Sequence, residues 1–195
     1  MINSVLATGG NGGIGKGIIL RFAQESFNIF TCARYLQELA ELKKEIQKSF
    51  PEIQVSGIKA DMSKREEVAA FAAFVKKIGT PDVLVNNTGV FLPGSIHDEP
   101  EGNFELMMET NLFSAYHLTR AFVQEMIERK SGYIFSMGSI AGTTAYPNGG
   151  SYAVSKWSML GMTKCLREEL HPHHITLTSI LPGATYISTR DASAL

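Results

Sequence analysis

Six short apolar runs, separated by longer stretches with helical spacing, constrain this chain more than any other feature. The runs are Val5-Leu6-Ala7, Ile29-Phe30-Thr31-Cys32, Ile53 to Ile58, Val83-Leu84-Val85, Tyr133-Ile134-Phe135 and Ile175 to Leu181. Between them, Leu36, Leu39, Leu42 (or the stem of Lys43), Ile46 and Phe50 form one helical stripe. Val68, Phe71, Val75 and Ile78 form another, opened by Ser63-Lys-Arg-Glu66, which has the form of a capping box. The segment from Phe104 to Ile127 reads as one long helix and Tyr152 to Leu170 as a further one. Repeated strand–helix–strand units predict an α/β fold with a parallel sheet covered on both faces. No repeat, low-complexity stretch or linker divides the 195 residues, so one domain over 1–195 is expected.

Charge excludes some partners. A net charge of -1, with Lys and Arg scattered among acids, gives no attraction for nucleic acid or an anionic membrane. No apolar run approaches the ~20 residues of a membrane span, and the first residues lack the features of a signal peptide. Cys32 and Cys165 are too few for a disulfide framework or a zinc site. His171-Pro-His-His174 places three histidines in one short loop without a carboxylate or thiol, so no metal is expected. A cytoplasmic location follows as the expectation.

Thr8-Gly-Gly-Asn-Gly-Gly-Ile-Gly15 follows the first strand and opens the first helix. Glycines there permit a tight turn and let backbone approach a pyrophosphate at the positive end of the helix. Two parsings are open: Gly10-Asn-Gly12-Gly-Ile-Gly15 fits G-x-G-x-x-G, and Thr8-Gly9-x-x-x-Gly13-x-Gly15 fits a wider spacing. Either one, in this context, points to a dinucleotide and a Rossmann-like, doubly wound, three-layer fold. An NAD site usually places an acid about 20 residues beyond the glycines. No Asp or Glu lies between Glu25 and Glu38, whereas Arg34 ends the second strand where a guanidinium could meet a 2′-phosphate. The expectation is NADP(H) in preference to NAD(H).

Ser151-Tyr-Ala-Val-Ser-Lys156 places a phenol and an ammonium four residues apart, on one helix face. A free phenol ionises near pH ~10, and a cation held beside it favours the phenolate. Such a pair suits acid–base work on an oxygen.

These residues resemble the classical short-chain dehydrogenase/reductase family. The resemblance runs in order through Thr8 to Gly15, Asp61, Asn86-Asn87-Thr88-Gly89, Asn111, Ser139, Tyr152 with Lys156, and Pro182-Gly183. It implies that Tyr152 exchanges a proton with the substrate oxygen, that Ser139 holds that oxygen, and that Lys156 binds the nicotinamide ribose. Asn111 would hold a water linking the lysine to solvent. Thr8, Gly9, Asn11, Gly13, Ile14, Gly15, Arg34, Asp61, Met62, Asn87, Thr88, Gly89, Pro182 and Gly183 would line the cofactor. The resemblance implies that Asp61 contacts its adenine; Thr88 stands where alanine is usual. A homodimer or homotetramer is also implied.

The substrate is expected over the carboxyl ends of the strands, between Val90 to Pro93, Ile140 to Tyr146, and Ala184 to Ile187, with Phe91 and Tyr146 as contacts. These walls suit a small carbonyl or alcohol compound with an apolar body. Family members usually continue into a substrate lid and a seventh edge strand, both expected to be missing here because the sequence stops at Leu195. The reactions implied are those of a carbonyl reductase, including 3-oxoacyl-carrier-protein reductase and sepiapterin-reductase-like enzymes. The alternative is an NADP(H)-binding redox sensor without turnover.

Overall fold

The structure, a computed structural model, describes residues 3–185. The six apolar runs become strands of a single sheet: β1 (Ser4–Ala7), β2 (Asn28–Ala33), β3 (Val55–Lys59), β4 (Val83–Asn86), β5 (Gly132–Met137) and β6 (Ile175–Ile180). Their spatial order is β3-β2-β1-β4-β5-β6, and all neighbours are parallel. The helices are α1 (Gly13–Gln24), α2 (Leu36–Ser49), α3 (Arg65–Lys76), α4 (Asn103–Met108), α5 (Ser114–Arg129) and α6 (Gly150–Leu170). The strand order reverses between β1 and β4. The loops leaving those two strands therefore diverge, and a crevice opens at their carboxyl ends.

Both faces of the sheet are buried, which is why the strands read as unbroken apolar runs. Successive side chains alternate between faces. Leu6, Phe30, Leu84, Ile134 and Leu177 pack with Phe71 of α3, Phe122 and Met126 of α5, and Leu170 of α6. Val5, Ala7, Ile29, Val83 and Val85 pack on the other face with Ile19 of α1 and with Leu42 and Ile46 of α2. Arg129, at the end of α5, donates to the carbonyls of Thr80, Pro81 and Ser131. It thereby fixes the approach to β4 against the approach to β5.

Four local expectations are corrected. The stripe of α2 is narrower than its spacing suggests: Leu36 is exposed, and Phe50 lies just past the last turn. Ile78 likewise falls beyond α3 and is exposed. The capping box does not form. Helix α3 begins at Arg65, Ser63 instead donates from its N–H and hydroxyl to Asp61 Oδ1, and Glu67 accepts the Asp61 N–H at 2.7 Å. Finally, Phe104 to Ile127 is not one regular helix. A π-helical turn at Glu109–Phe113 separates α4 from α5, with the Ser114 N–H reaching Glu109 O. Among the described residues no helix is long and apolar enough to cross a membrane.

Phe122 has no solvent exposure and sits between α3 and the sheet. Phe122→Ala is expected to lower unfolding free energy by about 3–5 kcal/mol, as read from urea denaturation.

Candidate active site

The crevice is built on one hydroxyl. Thr8 follows β1, and its Oγ1 accepts the N–H groups of Asn87 at 3.1 Å and Thr88 at 3.0 Å. Asn87 Nδ2 returns a bond to the Thr8 carbonyl at 2.8 Å. The chain then turns at Gly9, with φ +64°, and enters α1 through Gly13, with φ +50°. A Cβ on Gly15 would stand 2.1 Å from Gly9 O and 2.5 Å from Asn87 Nδ2, whereas one on Gly12 would meet nothing within 4 Å. The wider parsing, Thr8-Gly9-x-x-x-Gly13-x-Gly15, is thus the one in which each glycine has a steric task. Open space lies beside Gly12 at the entry to α1, and the buried Thr88 Oγ1 beside Gly9 has no hydrogen-bond partner among the described residues. Both observations fit a dinucleotide pyrophosphate and its adjoining ribose.

At the end of β2, Arg34 is exposed and its charge acts on Asp61. Burial would raise the Asp61 carboxyl, but the Ser63 N–H and hydroxyl, helped by Arg34 and Lys64, hold it below its ordinary value. Met62 is buried in the core, so only its main chain can face a ligand. Cys32 is an inert thiol, pushed up to about 12 chiefly by burial. One acid was missed by distance along the chain alone: Glu38, in the first turn of α2, accepts from Asn11 Nδ2 at 2.9 Å. The contact joins positions 27 residues apart and depends on how α2 docks, which spacing does not reveal.

Across the crevice, Lys156 is buried and donates to Met137 O, at the end of β5, at 2.9 Å. Its Nζ lies 5.7 Å from the centroid of the Tyr152 ring. Phe91, from the loop after β4, meets that ring edge-on at a centroid distance of 4.8 Å. Ser139 follows β5 by two residues, and its Oγ accepts the Ala141 N–H at 3.2 Å, leaving the hydroxyl proton available. The following 3₁₀ turn (Ile140–Gly142) packs on α6 so closely that a Cβ on Gly142 would stand 2.7 Å from Lys156 O. Asn111, at the centre of the π-helical turn, accepts the Val90 N–H at 2.7 Å. Its amide also donates to Val90 O at 3.0 Å and to Ser155 Oγ at 2.9 Å. Pro182 O accepts from the Ile140 N–H, which brings the Pro182-Gly183 segment beside the same turn.

The sequence pattern of the short chain dehydrogenases matches residues 3–194. The chain belongs to the short-chain dehydrogenase family. It is therefore an oxidoreductase. It is 32% identical to the uncharacterized oxidoreductase YvrD of Bacillus subtilis, across 93% of this chain and 68% of that one. It is 29% identical to the 3-oxoacyl-acyl-carrier-protein reductase FabG of Staphylococcus aureus, across 98% of this chain and 78% of the relative. Among solved structures, a metagenomic short-chain oxidoreductase in complex with NADP is 30% identical, with a TM-score of 0.86 over 94% of this chain and 83% of that one.

In this short-chain dehydrogenase the surroundings of Asn111 and Tyr146 are specific. The side-chain amide of Asn111 spends both of its protons on Val90 O and Ser155 Oγ, and its oxygen accepts the Val90 N–H, so its main-chain carbonyl is the freer place for a water. Tyr146 lines an open, largely apolar cavity of about 520 Å³ along α6 with Ile96, Pro147, Val154 and Trp157. Tyr146 feels the neighbouring phenol: burial first, and then Tyr152, raise its own. Thr185 Oγ1 donates to Gly183 O. Tyr186 and Ile187, the rest of the last expected wall, lie outside the described residues. Among the described residues, no group of three or more His, Cys, Asp or Glu could hold a metal ion.

Burial lowers Lys156 from 10.5 to about 8. Between those values the unfolded chain keeps a proton that the folded chain has released, so folding stability rises with pH across that window. Unfolding free energy should accordingly climb by up to about 3 kcal/mol between pH 8 and pH 10.5 in the ligand-free protein. Urea titrations should show that this slope is lost in Lys156→Met.

Proposed function

We propose that the protein interconverts a carbonyl compound and its alcohol with NADP(H). The observation that carries this reading is the buried Lys156 ammonium, anchored on Met137 O beneath the Tyr152 phenol, in the crevice that the glycine turn opens. A bound nicotinamide dinucleotide would supply or accept the hydride. Gly9, Gly13, Gly15 and the first amides of α1 would hold its pyrophosphate, Thr88 and Gly89 the adenosine side, and Lys156 the nicotinamide ribose. Tyr152 would deliver its proton to the carbonyl oxygen in reduction and recover it in the reverse direction. Ser139 would donate its free hydroxyl proton to the same oxygen and share the charge developing there. The Lys156 charge would stabilise the phenolate left behind, and the Asn111 main chain would hold the water that restores the proton.

Arg34 supports the phosphorylated cofactor, since its exposed side chain directly follows β2, the strand beside the one that leads into the glycine turn. The Asn11–Glu38 hydrogen bond supports a second reading, NAD(H), because Glu38 brings an acid to the same rim. Phe91 and the apolar loops around it favour a substrate with an apolar body. The likeness to a 3-oxoacyl-carrier-protein reductase makes β-ketoacyl thioesters the first class to try. Pterins and bulky ketones come next. A homodimer or homotetramer is part of this proposal, with the exposed Phe113, Tyr116 and Trp157 of adjoining helical elements as its apolar contacts.

Oxidation of NADPH followed at its absorbance band, with acetoacetyl-CoA, propiophenone or sepiapterin, tests the reaction. Tyr152→Phe should lower kcat by at least about 10²-fold while NADPH fluorescence titration gives an unchanged Kd; substantial turnover in this variant would refute the assigned proton donor. For the cofactor, kcat/KM should favour NADPH over NADH, and Arg34→Ala should reduce that ratio by about tenfold or more. A wild-type ratio at or below one would establish the Glu38 reading instead.

A further inference from the structure

The loop between β4 and α4 grips the start of α6 at more points than the stacking of Phe91 on Tyr152 requires. The Gly94 N–H donates to Asn148 O at 3.2 Å, and Ser95 Oγ donates to Asn148 Oδ1 at 3.0 Å. Glu99 is folded back by its own N–H, which donates to Ser95 O at 2.8 Å. Its carboxylate then accepts a hydrogen bond from the hydroxyl of Ser151, a buried residue 52 positions further along. The second oxygen, Oε2, is buried without a hydrogen-bond partner among the described residues. It lies 3.3 Å from where a Cβ on Gly150 would stand. That Cβ would also lie 2.2 Å from Gly94 O, and Gly150 has φ +39°, so the loop can come this close only because the position is glycine.

Helix α6 has no cap of its own. No side chain caps it at Gly149, and its first turn carries no acid. The unsatisfied amides and the helix dipole leave a positive end there, where a carboxylate is favourable. Glu99 fills that role from a distant loop, and the residue it holds immediately precedes Tyr152.

We propose that Glu99 is a positioning residue for the reaction. By binding Ser151 and facing the start of α6, it fixes the first turn of the helix and so the placement of the Tyr152 phenol. The same loop holds that phenol from its other side through Phe91. Glu99 touches neither reacting atoms nor the residues assigned to the cofactor, so its removal acts on chemistry rather than on cofactor affinity. This rests on the reductase reading above. A displacement of the phenol by about 1 Å is enough to slow the chemical step by up to about 10²-fold.

The test uses the full chain, NADPH, and whichever of acetoacetyl-CoA, propiophenone and sepiapterin the wild type reduces. Glu99→Ala should lower kcat by about 10- to 100-fold with the NADPH Kd unchanged, while Glu99→Gln, which keeps an acceptor for Ser151, recovers most of it. Ser151→Ala should match Glu99→Ala, and the double variant should be no worse than either single one, the signature of one shared interaction. Independently of turnover, amide hydrogen exchange at Ser151 to Ala153 should quicken by about tenfold in Glu99→Ala while the remainder of α6 is unaffected. Unchanged exchange there, or kcat within twofold of wild type, overturns the role of Glu99. A wild type without turnover on any of the three compounds would instead sink the reductase reading, and the exchange measurement would still decide whether Glu99 holds the helix. Should Glu99→Ala fail to fold, kcat and exchange in Ser151→Ala decide the matter by the same thresholds.

Discussion

Everything in the crevice depends on the seam between the carboxyl ends of β1 and β4. These strands are neighbours, yet their onward connections run in opposite directions across the sheet. Thr8 holds the ends together where they begin to part, its hydroxyl accepting two main-chain N–H groups while Asn87 binds back to the Thr8 carbonyl. A hydroxyl with two lone pairs does this without adding charge to a buried site. Because the seam is closed by side chain and backbone together, the glycine turn leaves it at a fixed angle. Gly15 can then pass within van der Waals reach of Gly9 and Asn87 only for want of a side chain. The cradle at the start of α1 is therefore a consequence of strand order, not an isolated motif.

A second constraint fixes the far wall. Inserting a π-helical turn into the segment from Asn103 to Arg129 shifts the register of the helix by one residue and aims Asn111 at the loop after β4. Its amide pairs with both polar groups of Val90, as a strand neighbour would, and also reaches Ser155 on α6. Ser155 in turn donates to Tyr152 O at 2.7 Å. Gly89, flanked by the Asn111 amide oxygen and Lys156 Nζ at 3.2 and 3.4 Å from a would-be Cβ, admits no bulk between them. The loop, the π turn and the helix of the phenol are thus locked by hydrogen bonds that carry no chemistry themselves.

Much of this was legible from residue order, for a physical reason. Strands buried on both faces and helices with one apolar stripe leave periodic traces, and the six runs and four helical stretches predict the elements in sequence. Tyr152 and Lys156 stand out in the sequence because they are four residues apart on one helix face, whereas Ser139 enters only through the resemblance. What escaped depends on packing. A π turn changes which carbonyl each amide reaches without disturbing the apolar pattern, so the stretch from Phe104 reads as regular. Ser63 had a hydroxyl suited to a cap, but Asp61, two residues before it, competes successfully for that hydroxyl and its N–H. Glu38 and Glu99 reach their partners across 27 and 52 residues, distances over which spacing says nothing.

The polar groups of the crevice divide by how completely their bonding capacity is used. Asn111 and Ser155 have every side-chain proton bound to a protein partner, and such groups serve as framework. Lys156 is different: it is an ammonium with three protons, buried, and bound to one acceptor, Met137 O, among the described residues. Leaving donors of a buried cation without partners is unfavourable, and the depression of its pKa to about 8 expresses that cost. A fold selected for stability alone would satisfy those protons or replace the residue with an apolar one. The retained capacity lies beside Gly89 and the Tyr152 ring, and under the proposed function the hydroxyls of a ribose would satisfy it. Unmet bonding capacity on a buried cation, like the unpartnered Thr88 Oγ1 across the crevice, is what a site that completes its hydrogen bonding with a ligand would show.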